Sequence, residues 1–204
     1  MTSTKIHPTA IIADSAEIGA DTEIGPYAII GEQVKIGQNC HIHTQAVIEP
    51  FVKMGDHNQV HPHAVIGGLP QDLSFDPTIS SGVLIGHHNT FREGATISRA
   101  SFEGQNTLIG DHCYLMNNAH VAHDCIVGDA NIFATSATLG GHVQVGSKVF
   151  FGGGAMVHQF CRVGSYAMIA GVIGIRKDVI PYTLIGGTPV RHYRLNTIGL
   201  RRAG

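Results

Sequence analysis

Five residues in the second half of the chain have types and spacing suited to moving a proton: His120, His123, Asp124, His142 and His158. A neutral imidazole titrates near physiological pH and accepts a proton from a hydroxyl or an amine. In His120-Val-Ala-His123-Asp124 a carboxylate follows a histidine, where it can orient the ring or stabilise its cation. Gly140-Gly141-His142 offers backbone N–H groups that no side chain shields, a suitable cradle for a developing oxyanion. No serine or cysteine beside them is an obvious nucleophile, so direct transfer is simpler than a covalent intermediate.

These residues act together only if the fold gathers them. Every sixth residue from Ile6 to Ile66 is aliphatic. The phase returns at Ile85, Phe91 and Ile97, then runs unbroken from Ile109 to Ile175, for 26 hexads in all. A second column, four residues after each of these, is mostly small and includes Ala28, Ala46, Ala119, Ala137 and all four cysteines: Cys40, Cys113, Cys125 and Cys161. Glycine often follows the aliphatic residue, as in Ile18-Gly19, Ile24-Gly25 and Val145-Gly146. A large inward residue, a small inward residue and a glycine per six suit a short strand and a tight corner. Three such strands per 18-residue coil predict a triangular prism of between eight and nine coils. The cysteines then read as small buried hydrophobes, not as a disulfide frame, zinc site or nucleophile.

The repeat breaks twice. Residues 67–84 carry about 13 extra residues and residues 98–108 about six. Placing Ile109 on a first face, Leu115 on a second and Val121 on a third puts both Ile66 and Ile97 on the third. Both insertions therefore leave the prism after a third-face strand, and insertions to one side of a solenoid commonly mark its binding face. Val121, Leu139 and Val157, each 18 residues from the next, stack on that same face. His120, His123, His142 and His158 flank these three positions without occupying an inward column. With coils ~4.8 Å apart, they project from adjacent coils beside both loops. The remaining histidines, His7, His41, His43, His57, His61, His63, His87, His88 and His112, read as surface or turn residues.

Composition supports this frame. The 204 residues include 26 glycines and 14 histidines against 13 Lys+Arg; 43% are hydrophobic, 14% are charged, and there is no Trp. Enough apolar residues are present to bury a core, while few charges and many glycines argue against a helical bundle. A net charge of −2 gives no electrostatic reason to expect nucleic acid or an anionic membrane as partner. No apolar run approaches the roughly 20 residues of a membrane span. The start, MTSTKIHPTAII, lacks the order of a signal peptide, so a cytoplasmic protein of one or two domains is expected.

The hexads are the pattern of the hexapeptide-repeat family, and that resemblance implies an all-β fold, the left-handed parallel β-helix. More specifically, Gln71-Asp72-Leu73, Leu115-Met-Asn-Asn-Ala-His120-Val-Ala-His123-Asp124-Cys125, Gly140-Gly141-His142 and His158-Gln159-Phe160-Cys161 resemble the acyl-carrier-protein-dependent UDP-N-acetylglucosamine O-acyltransferases, the first enzymes of lipid A biosynthesis. The likeness runs from Ile6-His7-Pro8-Thr9-Ala10 to Asn196 and Gly199-Leu200-Arg201-Arg202.

The resemblance implies a homotrimer with sites in clefts between prisms and transfer of an acyl or 3-hydroxyacyl chain from acyl carrier protein to the sugar 3-position. His123 would be the general base, Asp124 its assistant and the Gly141 N–H the oxyanion donor. Gln71, Asp72, His120, His142 and Gln159 would contact sugar and phosphates, with His158 nearby. Asn196 and Arg202 would join the acceptor site, and Gly171 would set the length of the acyl chain. No cofactor or metal is implied. The β-helix domain would cover 1–180 and a C-terminal extension 181–204, where the family's helical domain is absent or truncated.

Three positions depart from the family: Ser74 replaces a lysine, Ser98 a histidine and Ile198 a glutamate. They motivate a second expectation, the same chemistry on another nucleotide-sugar. A non-catalytic trimeric binding protein is a third. A histidine metal site is a fourth, since gamma-class carbonic anhydrases bind zinc on a parallel β-helix, though their histidine spacing differs from His120 and His123.

Overall fold

Each hexad becomes a strand, usually of two residues, whose aliphatic member points inward. The computed structural model describes residues 4–202, which contain 28 strands and one short helix, Thr197–Arg202. The strands stack into three sheets of eleven, nine and eight, the faces of a prism. Pairing is parallel everywhere except where Thr183–Gly186 meets Arg191–Leu195. The third face has the expected register: Ile66 pairs with Ile97, Ile97 with Val121, Val121 with Leu139 and Leu139 with Val157.

The two inward columns fill the prism. Phe91, Phe133 and Phe151 are fully buried, and the rings of Phe133 and Phe151 stack at 4.5 Å. All four cysteines are buried and unpaired. Burial pushes the Cys125 thiol up to about 12 and that of Cys113 to about 11, which removes both as nucleophiles at neutral pH. The buried asparagines in the small column satisfy corner backbone that water cannot reach. Asn131 Nδ2 donates to the carbonyls of Gly128 (2.7 Å) and Gly146 (2.9 Å), and its Oδ1 accepts the Val149 N–H at 2.8 Å. Asn131→Ala would leave the Gly146 carbonyl and the Val149 N–H unpaired and the Gly128 carbonyl with only the weak Cys113 thiol donor at 3.2 Å. A loss of about 3 kcal/mol or more is expected, read as a lower denaturation midpoint at unchanged m-value.

The corners show why the glycines are there, and the reason differs from the tight-corner expectation. Left-handed φ falls three residues after the aliphatic position, mostly on non-glycine residues such as Asn118, Asp124, Ser136 and His142. The glycine directly after the aliphatic residue is needed for stacking. A Cβ on Gly25 would lie 2.8 Å from the Thr44 nitrogen of the next coil. Because left-handed corners recur along the whole prism, those at Asp124 and His142 belong to the architecture and are not special strain at a site.

Both insertions leave the third face as expected, but the stretches outside strands are shorter. Val65–Gly68 and Gly82–Ile85 extend to four residues, leaving 69–81 outside strands. Thr96–Ser98 and Asn106–Ile109 leave 99–105. The added pairing of Gly68 with Ser98 and of Gly82 with Asn106 draws the loop bases into the sheets. The loops also bind each other: Gly104 N–H donates to Ser80 O (2.8 Å) and Ser80 N–H to Glu103 Oε2 (2.8 Å).

Candidate active site

The corner between the third and first faces carries His123, Asp124, Gly141 and His142 on neighbouring coils. His123 Nδ1 lies 2.7 Å from Asp124 Oδ2. His142 Nε2 lies 3.6 Å from that same oxygen, and the two imidazoles meet edge to face at 5.2 Å. His142 is held by Phe160, which stacks on it at 4.6 Å, and by Phe102 at 6.2 Å. Phe160 is the next left-handed corner residue after His142, so coil stacking alone sets that contact.

Asp124 is anchored from three sides. Its backbone N–H donates to Thr107 Oγ1 (2.9 Å), and its carboxylate accepts from Ser101 and His123. Burial alone would push the carboxyl up, but the hydrogen bonds from Ser101 and His123 outweigh it and hold it below the ordinary carboxylate range. A lowered folded value adds stability above the unfolded value of ~4, and that stability is lost as pH falls through the folded value. Asp124→Asn should therefore flatten the stability profile of the protein below about pH 4, measured by denaturant unfolding.

An ionised Asp124 only accepts hydrogen bonds, so His123 must carry its proton on Nδ1. Nε2 is then left with its lone pair, and it has no hydrogen-bond partner among the described residues. Gly141 lies directly against it. A Cβ there would sit 2.6 Å from His123 Cε1 and 2.7 Å from Nε2. The Gly141 carbonyl accepts the Phe160 N–H at 3.0 Å, while the Gly141 N–H donates to no group among the described residues. A basic nitrogen beside an unused backbone donor suits attack on a carbonyl.

The surrounding residues divide into two groups. His120 sits in the same coil, three residues before His123, its Nδ1 2.7 Å from Thr96 Oγ1; burial and the neighbouring His123 disfavour its charged form. Asp72 lies on the exposed 69–81 loop, with its carboxyl held low by hydrogen bonds from Ser74 and, more weakly, by His123 and His142. Ser74, standing where the resembling family has lysine, thus pins Asp72 through its N–H (2.9 Å) and Oγ (2.8 Å). Gln71, His158 and Gln159 are exposed, and among the described residues the His158 ring hydrogen-bonds the Gln159 carbonyl alone, at 3.2 Å. Buried Arg99 ties the two loops together, donating to Pro77 O (3.1 Å) with its guanidinium near the rings of Phe75 (5.4 Å) and Phe51 (5.9 Å).

Three predicted residues are elsewhere within the chain. Gly171 lies at the corner between the second and third faces. Asn196 caps the helix Thr197–Arg202: its Oδ1 accepts Gly199 N–H (3.0 Å) and its Nδ2 donates to Tyr166 O (2.9 Å). Arg202 ends that helix, and its side chain lies outside the described residues. Of the other departures, Ser98 is buried in the third face and Ile198 is exposed on the helix. Sequence reasoning missed Ser101, Thr107, Phe102 and Phe160. Both insertions were visible, but no spacing rule says which loop residue returns to the histidines.

His123, Asp124 and His142 also offer three ligand atoms within 4.8 Å of one another, the one such group among the described residues that could hold a metal ion. The 2.7 Å separation of His123 Nδ1 and Asp124 Oδ2 is that of a charge-assisted hydrogen bond, which accounts for the pair without an ion. No helix among the described residues is long and apolar enough to cross a membrane.

The bacterial transferase hexapeptide (six repeats) model matches residues 33–68 and 106–141. The chain is 40% identical over 198 residues to the acyl-[acyl-carrier-protein]–UDP-N-acetylglucosamine O-acyltransferase of Campylobacter concisus, covering 97% of this chain and 76% of that protein. Against the protein of that name from Gloeothece citriformis, identity is 46% over 135 residues, 66% of this chain and 49% of the relative. The chain thus spans about three quarters of one relative and about half of the other. The crystal structure of a UDP-N-acetylglucosamine acyltransferase from Bacteroides fragilis superposes with a TM-score of 0.94 at 38% identity, covering 97% of this chain and 77% of that one. The prism is the left-handed parallel β-helix, and the chain belongs to the acyl-[acyl-carrier-protein]–UDP-N-acetylglucosamine O-acyltransferase family.

Proposed function

We propose that the protein transfers an acyl or 3-hydroxyacyl chain from acyl carrier protein to the 3-hydroxyl of UDP-N-acetylglucosamine, the step that begins lipid A synthesis. The observation that carries this reading is His123, fixed by Asp124 with Nε2 unoccupied, directly beside the unused Gly141 N–H. Nε2 takes the proton from the sugar 3-hydroxyl as its oxygen attacks the thioester carbonyl. The tetrahedral oxyanion is received by the Gly141 N–H. Collapse breaks the C–S bond, and the departing thiolate takes the proton back from His123. Acyl chain and proton have then exchanged carriers, with no enzyme-bound acyl group. Asp124 stabilises the imidazolium that exists between the two proton transfers.

His120, His142, Gln71, Asp72, His158 and Gln159 hold the acceptor around this centre. Gly171 reaches it from another copy: within one chain it belongs to a different corner, so a homotrimer with sites between prisms is the assembly we infer, while Asn196 serves as a helix cap in its own chain. Acyl carrier protein as donor places the reaction in the cytoplasm. Incubation with a panel of acyl-acyl carrier proteins and UDP-N-acetylglucosamine, read by mass spectrometry, tests the function. A product heavier by one acyl group is expected; no product from any donor overturns the reading.

A further inference from the structure

Asp124 receives more hydrogen bonds from Ser101 than from His123. The Ser101 N–H donates to both carboxylate oxygens, at 3.0 Å to Oδ1 and 3.2 Å to Oδ2, and Ser101 Oγ donates to Oδ2 at 2.5 Å. Ser101 belongs to the 99–105 loop, 23 residues from Asp124 in sequence, and its position is tightly determined. Arg99 N–H donates to Gly68 O (2.9 Å) and Ala100 N–H to Gly82 O (3.2 Å), while the Ala100 carbonyl accepts Ser81 Oγ–H at 2.5 Å. The insertion therefore delivers a fixed pair of donors to the carboxylate that orients His123.

We propose that Ser101 is a positioning residue: by pinning Asp124 it keeps His123 in the Nδ1–H tautomer with Nε2 aimed outward. This rests on the acyltransferase reading above, in which Nε2 is the base. Two donors from Ser101 leave Asp124 Oδ2 one approach for His123 and keep the carboxylate from rotating away. Without the hydroxyl, Asp124 retains one donor from the loop, the backbone N–H, and the imidazole gains freedom to turn or change tautomer. The loop's function in this account is to complete the base, in addition to lining the cleft.

The test compares Ser101→Ala, Ser101→Thr and Ser101→Val; the last two have the same shape and differ in the hydroxyl. Ala and Val are expected to lower kcat about tenfold, the order for a hydrogen bond to a charged group. KM should stay within about twofold and Thr should recover most of kcat, because a general loosening would not be repaired by a hydroxyl. Proton NMR of each protein supplies a readout independent of turnover. The downfield His123 Nδ1–H resonance, assigned by its loss in His123→Ala, should persist in wild type and Thr and broaden or vanish in Ala and Val. An unchanged resonance and kcat in Ala and Val, or a Thr variant as impaired as Val, overturns the proposal. If wild type transfers no acyl group, the acyltransferase reading fails, and the NMR comparison still decides whether Ser101 controls the His123 proton.

Discussion

His123→Ala is expected to lower kcat by about 10²–10⁴, the contribution of a well-placed general base. KM for the sugar nucleotide should change little by comparison, because the proton is taken only as the transition state forms. Stability should fall only modestly, by about 1–3 kcal/mol, since His123 lies in neither inward column but its side chain is only 13% exposed and hydrogen-bonds Asp124. Single-turnover acyl transfer followed by mass spectrometry, beside a thermal melt, checks both points. A kcat within a factor of a few of wild type would remove His123 as the base. Combining His123→Ala with Ser101→Ala should cost no more than His123→Ala alone, because Ser101 acts through the missing imidazole.

Gly141→Ala is expected to reduce kcat by about 10² at nearly unchanged KM. The added methyl would lie 2.6 Å from His123 Cε1 and 2.7 Å from Nε2, so the ring must move. A displacement of about 1 Å at a reacting group costs on the order of 10² in rate. The backbone N–H survives this substitution, so the loss reports the position of the base and not the absence of an oxyanion donor. Gly153 provides the control. It occupies the same hexad position at another corner, where the nearest atom to an added Cβ is Thr135 O at 3.4 Å. Gly153→Ala should leave kcat near wild type. Equal losses in the two variants would show that the prism, and not the base, is what the methyl disturbs.

The contrast between those two glycines marks how far hexad position carries. In the sequence they are equivalent, two residues after an aliphatic position. Whether a side chain fits depends on what the neighbouring coil places opposite, His123 well inside contact distance in one case and a carbonyl at van der Waals contact in the other. The same applies to His123 and His142 against His57, His88 and His112. The latter three also stack, at 4.6 and 4.8 Å, but on the corner between the first and second faces, where neither insertion reaches.

The sequence by itself determined the prism, its coil register and the face from which both loops depart. It could do so because the repeat is a local, one-dimensional rule: an aliphatic residue every six and a small one four later are satisfied only by stacked coils. Stacking then carried His123, Asp124, Gly141 and His142 to one corner without further information. Tertiary structure alone decided how the base is completed. Ser101 reaches Asp124 from a loop that obeys no period, and Phe102 reaches His142 from the same loop. It also decided that Asn196 is spent as a helix cap within its own chain. Such contacts depend on the path of irregular backbone, fixed by hydrogen bonds between the two insertions, and no spacing in the chain encodes that path.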